Sequence, residues 1–187
     1  MTRPGRDRSG NAVREKPAGK ASADTPFSEA SRLLERGKVQ EAFRLFFAAA
    51  KAGDSRAQLN VGYLYDTGQG VSRSRLHALQ WYRKAVQRGE AAAANNIGTI
   101  YRDEGRLRLA VRWFAKAAAM GDGDALLEMA KLYAGPLEEP AQARKLAVRV
   151  RSSKRAAADS RDQAERLLHM LEQRERLSKP GRAAARR

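Results

Sequence analysis

The chain has 187 residues, no cysteine, and 37 Lys/Arg against 21 Asp/Glu, a formal net charge of +16. That length supports one modest core, and the missing cysteines exclude disulfide staples, thiol nucleophiles and thiolate metal sites. No run approaches the roughly 18 consecutive apolar residues of a membrane-spanning helix.

Residues 1–24 are rich in Gly, Ser, Pro, Lys and Arg without periodic apolar positions, which predicts a disordered basic arm. Their start, MTRPGRDRSGNAVREK, has no apolar run behind it and so does not read as a secretory signal; the expected compartment is the cytoplasm. Helices are predicted over 25–36 and 39–52, then 55–67 with 74–88, and 91–104 with 107–120. A degraded pair follows over 124–134 and 140–153, where Pro140 opens the second helix. The spacing is helical throughout: Phe43, Phe46, Phe47 and Ala50, then Leu79, Tyr82 and Val86, then Val111, Phe114 and Ala118. A last helix over 159–178 aligns Ala164, Leu167, Leu168 and Leu171 on one face, as a cap for the open end of a stack would. The division expected is a repeat body over 25–153, a capping helix within 154–178 and a frayed basic tail over 179–187.

Three stretches are near-copies: AFRLFFAAAKAGDSRAQLNVGYLY, ALQWYRKAVQRGEAAAANNIGTIY and AVRWFAKAAAMGDGDALLEMAKLY, starting at Ala42, Ala78 and Ala110. The starts lie 36 and then 32 residues apart, a period typical of solenoids that bury apolar faces between neighbouring units. Gly53, Gly89 and Gly121 fall where a left-handed residue ends a helix without a Cβ penalty. Asp54, Glu90 and Asp122 follow at once, suited to the positive end of the next helix. Gly62, Gly98 and Ala130 allow close approach within each pair, with Tyr65, Tyr101 and Tyr133 filling space one turn later. Between Tyr65 and Ala78 the chain runs DTGQGVSRSRLH, with Ser72 or Ser74 as helix cap; the next connection is four residues shorter.

WYRKAVQRG, the following NNIGTIY, and LNVGYLYDTGQGV before them resemble the Sel-one-like repeat, a branch of the tetratricopeptide superfamily. The Gly68-Gln69-Gly70-Val71 loop carries the branch-specific likeness. Gly98, Tyr101, Gly105, Ala110, Phe114 and Ala117 resemble a plain tetratricopeptide unit, as do Ala30, Gly37, Ala42, Phe46 and Ala49. The resemblance spans roughly residues 27–150. It implies an all-α, right-handed α-solenoid of antiparallel helix pairs acting as a protein-interaction scaffold or adaptor. It also implies that the first helix of each pair lines a concave groove, where Arg56, Leu59, Tyr63, Asn95, Asn96, Thr99, Arg102 and Lys131 would meet a peptide or folded partner. An amide pair such as Asn95–Asn96 can hydrogen-bond an extended backbone or merely be solvated. The family's carboxylate-clamp positions fall on Phe27 and Ser31, so a clamp for peptide C-termini is incomplete.

Catalytic chemistry is thinly represented. His77 and His169 lie in different helices, Gly68-Gln69-Gly70 lacks the Lys and Ser/Thr of a phosphate loop, and Glu138-Glu139 sit in a connection. No enzyme, cofactor or metal is expected. Trp81 and Trp113 share one repeat position and are read as packing between helices. The positive excess is +9 over residues 141–187, against +3 over 1–24 and +4 between them. The alternative function is therefore nucleic-acid or polyanion binding through the basic C-terminal region.

Overall fold

The computed structural model describes residues 25–178, and every regular element in that range is a helix. In chain order these are α1 (Pro26–Glu35), α2 (Val39–Lys51), α3 (Ser55–Thr67), α4 (Arg75–Gln87), α5 (Ala91–Asp103), α6 (Leu107–Ala119), α7 (Ala125–Ala134), α8 (Pro140–Arg151) and α9 (Ala158–Ser178). The helices of the repeat region match their predicted spans to within two residues. The expected basic arm and the frayed tail lie outside the described residues.

The corners form because their glycines release the last carbonyls of each helix to a specific pair of donors. At the end of α2, Gly53 N–H donates to the Ala50 carbonyl and Asp54 N–H to the Ala49 carbonyl, both at 3.1 Å. The same two bonds close α4, from Gly89 and Glu90, and α6, from Gly121 and Asp122. Such a closure needs a left-handed residue, and φ is +99°, +95° and +106° at the three glycines. The longer loop after α3 behaves differently. Gly68 itself caps the helix in the left-handed region, while Gly70 lies so close to Val39 that a Cβ would stand 2.9 Å from its carbonyl oxygen. The loop is thereby folded back against the start of α2. Of the two serines considered as the α4 cap, Ser74 holds the position, accepting from His77 N–H at 3.3 Å.

The acidic residues after the corners diverge from their expected common role. Asp54 caps α3 through Ala57 N–H at 3.0 Å, but Glu90 makes no capping bond and instead accepts from the Ser55 hydroxyl at 2.6 Å. Asp122 stands two residues before the cap of α7. Its Oδ1 takes the N–H groups of Asp124 and Ala125, which leaves the Asp124 carboxylate to accept from Ala157 N–H at 3.0 Å. Of the three, only Glu90 answers to a tertiary neighbour; Asp54 and Asp122 take backbone N–H groups two or three residues on, and it is Asp124 that reaches across to Ala157.

Units pair as α1–α2, α3–α4, α5–α6 and α7–α8, and each second helix also packs on the first helix of the next unit. First helices approach one another, α3 on α5 and α7 on α9, whereas no two second helices pack to that extent. The first helices therefore form the inner layer and α2, α4, α6 and α8 the outer one. Within pairs, ring meets glycine. A Cβ on Gly62 would stand 2.6 Å from Tyr82, and one on Gly98 2.7 Å from Phe114. Both rings are completely buried, in one cluster with Ala78, Ala93, Ala94, Ala110 and Ala117. Small residues let helices close to a distance at which each large ring fills the gap left by the alanines. Trp81 is buried against Phe47 with ring centroids 5.5 Å apart, and Trp113 packs partly buried on the central cluster, as the packing reading of both predicts.

α9 lays Ala164, Leu167, Leu168 and Leu171 against α7 and α8, continuing the core with Ala143, Leu146, Ala147 and Val150. It occupies the place a further first helix would take.

Candidate protein-interaction surface

The eight residues expected to face a partner all sit on α3, α5 or α7, hence on the inner layer, but they divide into three groups. Arg56, in the first turn of α3, lays its guanidinium over the Phe27 ring at 4.3 Å and stands 4.0 Å from Asp54. It bridges α1 and α3 and leaves much of its surface exposed.

The second group is uncharged. Tyr63 is 44% exposed, one of few large apolar residues left open to solvent. Leu59 is half-buried against the central core, and Thr99, at the repeat position of Tyr63, is half-buried on α5. Asn95 occupies the position that Leu59 and Leu127 fill in the neighbouring units, and its Oδ1 is buried without a hydrogen-bond partner. Asn96 approaches the Tyr82 hydroxyl, which comes through from the outer layer because Gly62 lets the ring pass. No hydrogen bond of good geometry closes on that hydroxyl. Burial, reinforced by the charge of Asp66, pushes the phenol well above its ordinary pKa, so it stays neutral. Burial likewise raises the Asp66 carboxyl, with Arg73 and Arg75 opposing the shift. Phe114 fills the equivalent space in the next pair without a hydroxyl. Tyr82→Phe is thus expected to leave stability unchanged or raise it by up to about 1 kcal/mol, since an unpaired buried hydroxyl is removed. Urea denaturation of the two chains checks this.

The third group is ionic and already engaged. Arg102 donates to Glu128 Oε2 at 2.8 Å and to Asp103 Oδ1 at 3.1 Å, while Lys131 donates to Glu128 Oε1 at 2.8 Å. Glu128 thus ties α5 to α7 and engages both cations that the repeat pattern left open to a partner. Its helical register was visible, but nothing in the sequence marked it as the acceptor for a residue 26 positions away.

Chemistry elsewhere is sparse. His77 stacks on Tyr65 at 5.0 Å and its Nδ1 meets the Ser74 hydroxyl at 2.8 Å; His169 bonds Gln173 on its own helix. Among the described residues no group of three or more His, Cys, Asp and Glu could hold a metal ion, and no helix is long and apolar enough to cross a membrane. A cavity of about 610 Å³ opens between the start of α8 and the end of α9, lined by Pro140, Ala141, Arg144, Leu171, Arg174 and Ser178. It lies outside the inner-layer set, and Arg144 is held there by Glu172 and Glu175.

Stacked antiparallel helix pairs with a polar inner layer define a tetratricopeptide-like helical repeat protein. Residues 34–54, 55–90 and 91–122 match the Sel1 repeat model, so the chain carries three Sel1 repeats. A crystal structure of a Sel1 repeat protein from Oxalobacter formigenes has the same fold, with a TM-score of 0.57 and 23% identity, covering 80% of this chain and 74% of that one. The chain is 39% identical over 57 residues to a chitin synthase regulator of Saccharomyces cerevisiae, covering 30% of this chain and 8% of the regulator. It is 30% identical over 93 residues to an ERAD-associated E3 ubiquitin-protein ligase component of Arabidopsis thaliana, covering 43% of this chain and 14% of the relative. The chain therefore spans less than a fifth of the length of these curated relatives. Sel1-repeat proteins are generally protein-interaction scaffolds and typically non-catalytic.

Proposed function

We propose that the chain is an adaptor that holds a peptide or a folded partner protein against the inner layer, centred on Tyr63, Asn95, Asn96 and Thr99. The observation carrying this reading is the uncharged patch itself. An exposed aromatic ring stands on α3, and the neighbouring α5 adds the half-buried amide of Asn96 and hydroxyl of Thr99, with Asn95 at a position the adjacent units fill with leucine. An exposed tyrosine offers a large contact area at low entropic cost, and an amide supplies both donor and acceptor to an extended backbone. Arg102 and Lys131 serve in this reading as a rigid border, since Glu128 holds both. α9 acts as the terminal cap, which keeps the last unit ordered and the inner surface preformed, lowering the ordering cost of binding.

The test starts from a partner captured on the intact chain and then purified. Its affinity is measured by titration calorimetry for the wild type and for Tyr63→Ala, Asn96→Ala and an exposed outer-layer control, Gln87→Ala. Tyr63→Ala is expected to weaken binding about tenfold or more, Asn96→Ala by less, and the control not at all. Equal affinities for all four chains, each shown to be folded, would refute the inner-layer reading. Arg102→Glu is a poor probe because it sets a third carboxylate against Glu128 and Asp103.

A further inference from the structure

The net positive charge of the repeats is segregated by layer. Each of α3, α5 and α7 carries one basic and one acidic residue, whereas α4, α6 and α8 together carry ten Lys/Arg and no Asp/Glu. Superposing the units by their buried positions shows how these cations are placed. Ala143, Ala147 and Val150 of α8 are buried as Ala110, Phe114 and Ala117 of α6 are, which sets Lys145 beside Arg112 and Arg149 beside Lys116. Arg44 in α2 takes the first of these positions and Lys84 in α4 the second. The row Arg44, Lys84, Arg112, Lys116, Lys145 and Arg149 thus crosses four outer helices. All six are exposed, none forms an ion pair, and no unit places a carboxylate at either position. Two of the ammonium groups are held in place: Lys84 lies 4.0 Å from the Trp81 ring centroid and Lys116 5.3 Å from that of Trp113.

We infer that this outer row is a binding surface for the phosphate backbone of duplex nucleic acid. A protein-binding surface needs apolar anchors that become buried, and the outer helices expose only Leu76 and Val148 among large apolar residues. Single strands are held by stacking bases on open aromatic rings, but Trp81 is 8% exposed and capped by its lysine. What remains is a row of cations without ion-pair partners, since the nearby outer-layer carboxylates Glu41 and Glu139 pair with Lys38 and Arg108 instead. A phosphate backbone needs nothing more, binding through counterion release without sequence preference. The surface is independent of the inner layer, and it spreads polyanion binding across the repeats from Arg44 to Arg149 instead of confining it to residues 141–187.

Fluorescence anisotropy of labelled duplexes of about 20 base pairs, DNA and RNA, tests this on the full chain. With about four phosphates engaged, log K should fall with log salt at a slope near −3.6, an about 150-fold loss between about 50 and 200 mM. Arg112→Gln combined with Lys145→Gln should flatten the slope by about 1.8. Arg166→Gln combined with Arg176→Gln, which removes the same charge from α9, should leave it unchanged. Binding of either duplex with this pattern supports the surface. An α9 variant that weakens binding equally would overturn it, as would tighter binding of a single strand or no saturation at low salt. Polyglutamate binding as tightly as the duplexes would reassign the row to acidic proteins.

Discussion

Replacing Gly123 by alanine is expected to destabilise the chain by about 3 kcal/mol, the upper end of the range for overpacking. The Cβ would press on the backbone of Arg155 and Ala156, on the carbonyl of the first and the nitrogen of the second. A clash with a side chain can be relieved by a rotamer change, but here the obstacle is main chain. That segment is fixed from both sides. Asp124 Oδ1 accepts Ala157 N–H, and the Ser153 hydroxyl accepts Arg155 N–H at 3.1 Å and Ala156 N–H at 3.3 Å. The connection leading into α9 has to move, taking with it the leucines that cover α7 and α8. Hydrogen exchange should show lost protection in α9 and α8 while α3 and α4 stay protected, because solenoid units couple chiefly to their neighbours. Gly89→Ala, at a corner where a Cβ meets nothing within 4 Å, isolates the cost of the left-handed backbone, roughly 1 kcal/mol. If Gly123→Ala melts no lower than Gly89→Ala, the backbone contact at residues 155–156 is not a tight one.

Phe114→Ala is expected to cost about 4 kcal/mol. The ring is completely buried, and the surrounding cluster is built largely of alanines, among them Ala93, Ala94, Ala110, Ala117 and Ala125. Alanine has no rotamers with which to reach into the vacated space, so little of the cavity can collapse. The double change Gly98→Ala with Phe114→Ala sharpens the test. In the wild type a Cβ on Gly98 would lie 2.7 Å from the ring, so Gly98→Ala alone should destabilise by about 2 kcal/mol. With the ring gone, the added methyl enters open space and should recover part of the loss. Chemical denaturation of the four chains forms a cycle, and a coupling near zero would mean that glycine and ring do not meet.

Residues bearing on the interaction surface were legible to different degrees. That Tyr63, Asn96 and Thr99 share a layer follows from their register within repeats already aligned by Gly53, Gly89 and Gly121. The engagement of Arg102 and Lys131 by Glu128 was hidden, because it depends on how far α7 stands from α5 rather than on any local pattern. The outer basic row had no motif either. Its six members are scattered from Arg44 to Arg149, and a tally by chain segment assigned the positive excess to residues 141–187, whereas sorting by layer separates a balanced inner surface from a cationic outer one.

Helix spans, corners and the order of the stack could be read along one dimension because their causes are local. Apolar spacing selects the helix, a left-handed glycine ends it, and a repeated small residue marks where a neighbour must come close. Asp54 caps α3 as its position suggests, but the partner of Glu90 and the reach of Asp124 escaped that reading. Asp54, Glu90 and Asp122 occupy one repeat position, yet they respectively cap a helix, take a hydroxyl from the preceding unit, and free Asp124 to hold the approach to α9. Electrostatic and hydrogen-bond partners are chosen by distances of a few ångströms between elements, and those distances exist only once the rings and alanines have packed.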